Sequence, residues 1–144
     1  MKPGYHLIGT LAASSVIYFV FRSLPCLIIS FISGFLIDLD HLLDYYSQEG
    51  LGLNFRRFYQ WCNEHKLKFT ILIFHSLELL FLLWWAIYFF KLGQFWISLA
   101  IGFSQHMLFD VVFNRNDIKT PYFYFITARA LKGFRLRDFI ISDK

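Results

Sequence analysis

Four long apolar segments, about 5–21, 24–47, 69–90 and 93–114, alternate with short polar stretches along this chain. Pro25 opens the second segment and Gly93 the fourth, the positions where helices tend to start. As helices, the third and fourth are long enough to cross a hydrocarbon core of about 30 Å. The first is shorter, and the second closes in acidic residues. The polar stretch after the second segment predicts a short extramembrane helix around 53–65. The basic, aromatic segment 121–139 is expected to lie along a membrane interface. The pattern predicts an all-α protein, an integral membrane bundle of about four transmembrane helices forming one domain over residues 1–144.

Composition sharpens the class. The 144 residues are 57% hydrophobic, with 19 Phe, 8 Tyr and 4 Trp, and only 17% are charged, against about 25% in a typical soluble domain. The net charge of +4 would admit a nucleic-acid partner, but its distribution follows membrane topology instead. With four spans, Lys2, Arg56, Arg57, Lys66, Lys68 and the seven basic residues from Arg115 to Lys144 fall on one side. Only Arg22 and Lys91, of 14 Lys and Arg, fall on the other. This bias places both termini in the cytoplasm. Residues 1–23 would otherwise read as a signal peptide, but Arg22 stands where a small cleavage-site residue belongs. Cys26 and Cys62 are far apart and form no Cys-x-x-Cys pair, so both are expected to be reduced thiols.

Candidate chemistry enters with the ionisable residues inside the apolar segments. Each costs roughly 2.5–3.5 kcal/mol at a membrane centre, so each marks a functional site by default. His75 and Glu78 are spaced i to i+3, and His106 and Asp110 i to i+4, so each pair would share a helix face. Asp38, Asp40, His41 and Asp44 close the second segment, and His6 opens the first. In the four-span topology all of these fall in one cytoplasmic layer. Small and polar stripes point the same way: His6, Gly9, Thr10 and Ala13 on the first helix; Cys26, Ser30, Ser33, Gly34, His41 and Asp44 on the second; Gly102, His106, Asp110 and Asn114 on the fourth. Such stripes let membrane helices approach closely and keep polar groups from lipid.

Imidazoles and carboxylates on facing helices suit a bundle-core metal site, with zinc, manganese or iron as the ion. The absence of Cys among them argues against a purely structural zinc site. The blander alternatives are helix capping by Asp38 to Asp44, an interhelical hydrogen bond between His75 and Glu78, and a proton relay at His106 and Asp110. His65, in a polar loop, reads as solvated. Tyr45, Tyr46, Trp84, Trp85 and Tyr88 read as interfacial belts.

The run from Gly34 to His41, ending Asp38, Leu39, Asp40, His41, resembles the Gly-x-x-Pro-Asp-x-Asp-His signature of the YdjM-like membrane-bound metal-dependent hydrolases. Phe74, His75, Ser76 and Leu77 resemble that family's Thr-His-Ser-Leu segment. His106 to Asp110 resembles its later His-x-x-x-Asp helix, and His6 matches a histidine near its N-terminus. Ile37 stands where the family has Pro, and Thr70 where it often has a further His. Thr120 and Pro121 echo a family Thr-Pro at a longer spacing. The resemblance implies a metal site on a small helical membrane protein with hydrolase chemistry.

Together these readings predict a metal-dependent hydrolase of a bacterial inner (plasma) membrane. It would act at the cytoplasmic face on a phosphate or acyl ester, with a lipid as one substrate class. The expected metal ligands are His6, Asp38, Asp40, His41, His75, His106 and Asp110. Glu78 or Asp44 would take the proton from water, and the cofactor is a divalent ion, zinc first. The bilayer is the expected partner, with no nucleic acid. The rival readings are a non-enzymatic bundle stapled by a metal and a small ion- or proton-coupled carrier.

Overall fold

The computed structural model describes residues 3–50, 52, 54, 56, 58, 60 and 68–141. Among them the chain is helical, with isolated bridges Phe69–Arg135 and Ile118–Ile140 in place of a sheet. It divides into two compact units, Met1–Ile37 with Leu77–Asn114, and Asp38–Ser76 with Arg115–Lys144.

The first unit contains α1 (Pro3–Phe21), α2 (Leu24–Phe35), α4 (Leu77–Phe89) and α5 (Gln94–Phe113). Its polarity is inverted relative to a soluble bundle. Along α1, His6, Thr10, Ser14 and Ile17 are buried, while Ile8, Val16, Phe19 and Val20 are each more than 60% exposed. On α2 the buried residues are Cys26, Ser30 and Gly34, and on α5 they include Ser98, Gly102, His106 and Asp110. His6, Thr10, Cys26, Ser30, Gly34, Gly102, His106 and Asp110 belong to the stripes expected from the sequence; Gly9, Ala13 and Ser33 of those stripes are half-buried, and Ser14, Ile17 and Ser98 extend the buried faces beyond them. Close approach is their purpose: a Cβ on Gly102 would lie 2.3 Å from the Ser30 carbonyl oxygen, and one on Gly34 would lie 2.9 Å from the Thr10 methyl group. Hydrogen bonds cross the same seams. Thr10 Oγ1 donates to the Gly34 carbonyl at 3.1 Å, and Ser33 Oγ to the Leu99 carbonyl at 2.9 Å. An apolar exterior around a polar seam is the arrangement that lipid, not water, stabilises.

Three helical stretches are long and apolar enough to cross a membrane: Gly4–Phe21, Leu24–Glu49 and Gln94–Phe113. The third segment departs from expectation. Its helix is Leu77–Phe89, only 13 residues, or about 20 Å at 1.5 Å per residue. Residues 69–76 are irregular. Apolarity alone predicts one helix over 69–90, but the backbone of 69–76 finds partners outside any helix.

Those partners belong to the second unit, which holds α3 (Asp40–Glu49), α6 (Ile126–Leu131) and 3₁₀ turns at Pro121–Tyr124 and Leu136–Asp138. Gln48 on α3 accepts from the Lys68 amide and donates to the Phe69 carbonyl. Thr70 N donates to the Phe134 carbonyl, and Leu136 N to that of Lys68. Around this loop Tyr45, Leu72, Phe123, Tyr124, Leu136 and Phe139 are buried, so 121–139 carries core as well as surface. The helix expected around 53–65 falls mostly outside the described residues, as do His65 and Cys62.

Candidate metal centre

Each unit carries a carboxylate flanked by two imidazoles. In the first, Asp110 sits one turn beyond His106 on α5. Its Oδ2 lies 3.3 Å from His106 Nε2, and its Oδ1 lies 3.2 Å from His6 Nε2. The two imidazoles stack with centroids 4.3 Å apart. Asn114 Nδ2, a further turn along, donates to Asp110 Oδ1 at 3.0 Å. His6, His106 and Asp110 are all at least 95% buried.

The His106 ring has a defined orientation. Its Nδ1 is 2.9 Å from the Gly34 carbonyl oxygen, which can only accept, so Nδ1 donates there and Nε2 is left facing Asp110. Fixing one ring nitrogen on a carbonyl to present the other is how proteins orient metal-ligating histidines. His6 Nδ1 is buried without a hydrogen-bond partner among the described residues.

After α2 the chain makes a 3₁₀ turn, Leu36–Leu39, and α3 then starts at Asp40 in the second unit. Across this junction Asp38 and His41 are three residues apart, and Asp38 Oδ1 lies 3.9 Å from His41 Nε2. The same oxygen is 3.3 Å from His75 Nε2. On the other side of that ring, His75 Nδ1 is 3.5 Å from Asp40 Oδ2, a long contact. Asp40 Oδ2 also accepts from the Phe74 amide at 2.7 Å. Asp38 thus faces the ligating edge of His75, and Asp40 its rear edge.

The donor chemistry fits a divalent cation. The N···O separations of 3.2–3.3 Å lie at the long end of the hydrogen-bond range. They approach the edge of about 3.4 Å expected of a tetrahedron with metal–ligand bonds near 2.1 Å. Each unit thus has donors that could take part in holding a metal ion, buried His106 and Asp110 in the first and Asp38 with buried His75 in the second.

Several expectations change in detail. His75 is not on a helix, so it and Glu78 do not share a helix face: α4 begins at Leu77, and Glu78 is half-buried in its first turn. Asp44 is buried and holds the loop, accepting from Thr70 Oγ1 at 3.1 Å and from the Ile71 amide at 2.9 Å. Thr70 is therefore a partner of Asp44. Sequence reasoning missed Arg129, counted only among the basic residues of a cytoplasmic segment. It is fully buried, and its guanidinium donates to the carbonyls of Leu72, His75 and Phe123 at 2.9, 3.0 and 3.1 Å. A lone Arg in the aromatic stretch from Tyr122 to Leu131 was the available signal.

Compared with protein-family models, curated proteins and solved structures, the chain matches none.

Proposed function

We propose that this protein is a membrane-bound, metal-dependent hydrolase of a phosphate or acyl ester, with lipid as the favoured substrate class. One observation carries the metal reading: in each unit a carboxylate faces the Nε2 edges of two histidines, and the rear edge of His106 is tied to a carbonyl. The hydrolase reading rests on the resemblance of the Asp38–His41, His75 and His106–Asp110 motifs to the YdjM-like family.

On this reading His6, His106 and Asp110 hold an ion in the first unit, and Asp38, His41 and His75 hold one in the second, zinc by donor type. The ion supplies Lewis acidity toward water and the ester oxygen. Asp40 orients His75, Asn114 orients Asp110, and Glu78 is the base that accepts the proton from water. Asp44 supports the loop instead of acting as that base.

The three membrane-length helices and the shorter Leu77–Phe89 make four passes, with both termini in the cytoplasm of a bacterial inner membrane. Irregular backbone at membrane depth is tolerated only where its polar groups are satisfied. The bonds from Asp44, Asp40 and Arg129 to residues 71–75 meet that demand.

The test is metal content of the detergent-purified protein beside phosphate and fatty-acid release from mixed phospholipid vesicles. Stoichiometric zinc in the wild type, lost in His106→Ala together with turnover, supports the reading. Metal without turnover on either ester class would leave a stapled bundle.

A further inference from the structure

We propose that Arg129 is a positioning residue, the clamp that gives the His75 loop its ligating shape; the assignment rests on the metal reading above. The loop is held by charge on both sides of its backbone. Its amides are taken by carboxylates, Ile71 N by Asp44 and Phe74 N by Asp40. Its carbonyls are taken by one guanidinium, with Arg129 Nη2 donating to Leu72 and Nη1 to His75. Nη1 also reaches the Phe123 carbonyl, and the guanidinium carbon lies 5.6 Å from the Phe123 ring centroid. Arg129 thereby ties the loop to the 121–131 segment.

The clamp has something to hold. Leu72 has φ +43°, in the left-handed region that a branched side chain rarely occupies. Such residues persist only where their surroundings over-determine them. Leu72 is buried, with its carbonyl on Nη2. Its carbonyl also accepts from the His75 amide at 3.1 Å, closing the turn from which the imidazole projects. Bonds from guanidinium to the carbonyls at both ends of this turn fix where His75 Nε2 stands relative to Asp38. Lysine carries the charge but lacks the planar fork that spans two carbonyls.

The test uses the full chain in nanodiscs, with zinc affinity measured by chelator competition and backbone exchange followed across residues 70–76. Arg129→Gln should weaken zinc about 10- to 100-fold, the usual effect of losing a group that orients a ligand, and speed exchange in the loop while the helices of the first unit keep their protection. Arg129→Lys should fall in the same direction by a smaller factor. Wild-type affinity in both folded variants would overturn the assignment and leave the metal reading standing. Absence of zinc binding by the wild type would overturn both. If the variants fail to fold, the wild type still decides: a loop preset by Arg129 should change its exchange less than about twofold on zinc addition. A tenfold or greater slowing would mean that metal, not Arg129, orders the loop.

Discussion

The Nδ1 of His106 donates to the main-chain carbonyl of Gly34, 72 residues earlier and 2.9 Å away. Gly34 is buried near the end of α2, and a Cβ there would meet Thr10. A close packing seam and the orientation of a candidate ligand are thus one structural feature. In His106→Ala the Gly34 carbonyl and Asp110 would lose a buried partner, so we expect loss of metal and a stability loss of about 1–3 kcal/mol. Denaturant titration in detergent beside metal analysis reads both; a variant that kept its metal would remove His106 from the ligand set.

Gly102 tests the packing separately from the chemistry. A Cβ there would meet the Ser30 carbonyl oxygen at 2.3 Å and Ser33 Oγ at the same distance. Backbone cannot yield as a side-chain tip can, so Gly102→Ala should destabilise by about 1–3 kcal/mol. Gly93→Ala, at a site with nothing within 4 Å, is the control. Equal melting temperatures for the two variants would show that α2 and α5 do not meet this closely.

Asp44 and Asp40 should separate by role. Asp44 accepts from Thr70 and Ile71, so Asp44→Ala should loosen the loop and cost about 1–3 kcal/mol. Asp40→Asn should chiefly weaken metal binding, by about 10- to 100-fold, because it alters the group behind His75. Isothermal titration with zinc and thermal melts on both variants make the comparison. An unchanged zinc affinity in Asp40→Asn would detach Asp40 from the site.

The sequence was legible where side-chain size and polarity repeat at helical spacing. The stripes from His6 to Thr10, Ser30 to Gly34 and Gly102 to Asp110 are the buried faces of α1, α2 and α5. It was opaque at residues 69–76, because hydropathy records what a segment avoids and not how its backbone is bonded. Thr70, Ile71 and Ile73 are β-branched, a weak sign against helix. What decides the conformation is a set of partners, Asp40, Asp44 and Arg129, as many as 57 residues away in the chain. Arg129 was hidden for a related reason: a charge count treats every arginine as solvated, and a guanidinium capping main-chain carbonyls is not.

Topology has its own check. Reporters fused at the C-terminus and within residues 50–66 should both read the cytoplasm, and one after Lys91 the opposite side, because basic residues collect on the first side. This outcome requires the shorter apolar helix, Leu77–Phe89, to cross as well. A cytoplasmic signal after Lys91 would make that helix a hairpin arm that does not cross, and the protein a three-pass one.

Glu78 separates an enzyme from a stapled bundle. It lies in the first turn of α4, three residues past His75, and is half-buried. Replacing Glu78 by Gln preserves the side-chain volume and removes the basic oxygen. If Glu78 accepts the proton from water, the variant should keep its zinc and its melting temperature while turnover falls by about 10²- to 10⁴-fold, the usual worth of a positioned base. If it is a ligand, zinc affinity should fall along with activity. The two outcomes separate on one preparation assayed for zinc and for phosphate or fatty-acid release. Unchanged turnover in a zinc-loaded Glu78→Gln would take the base elsewhere.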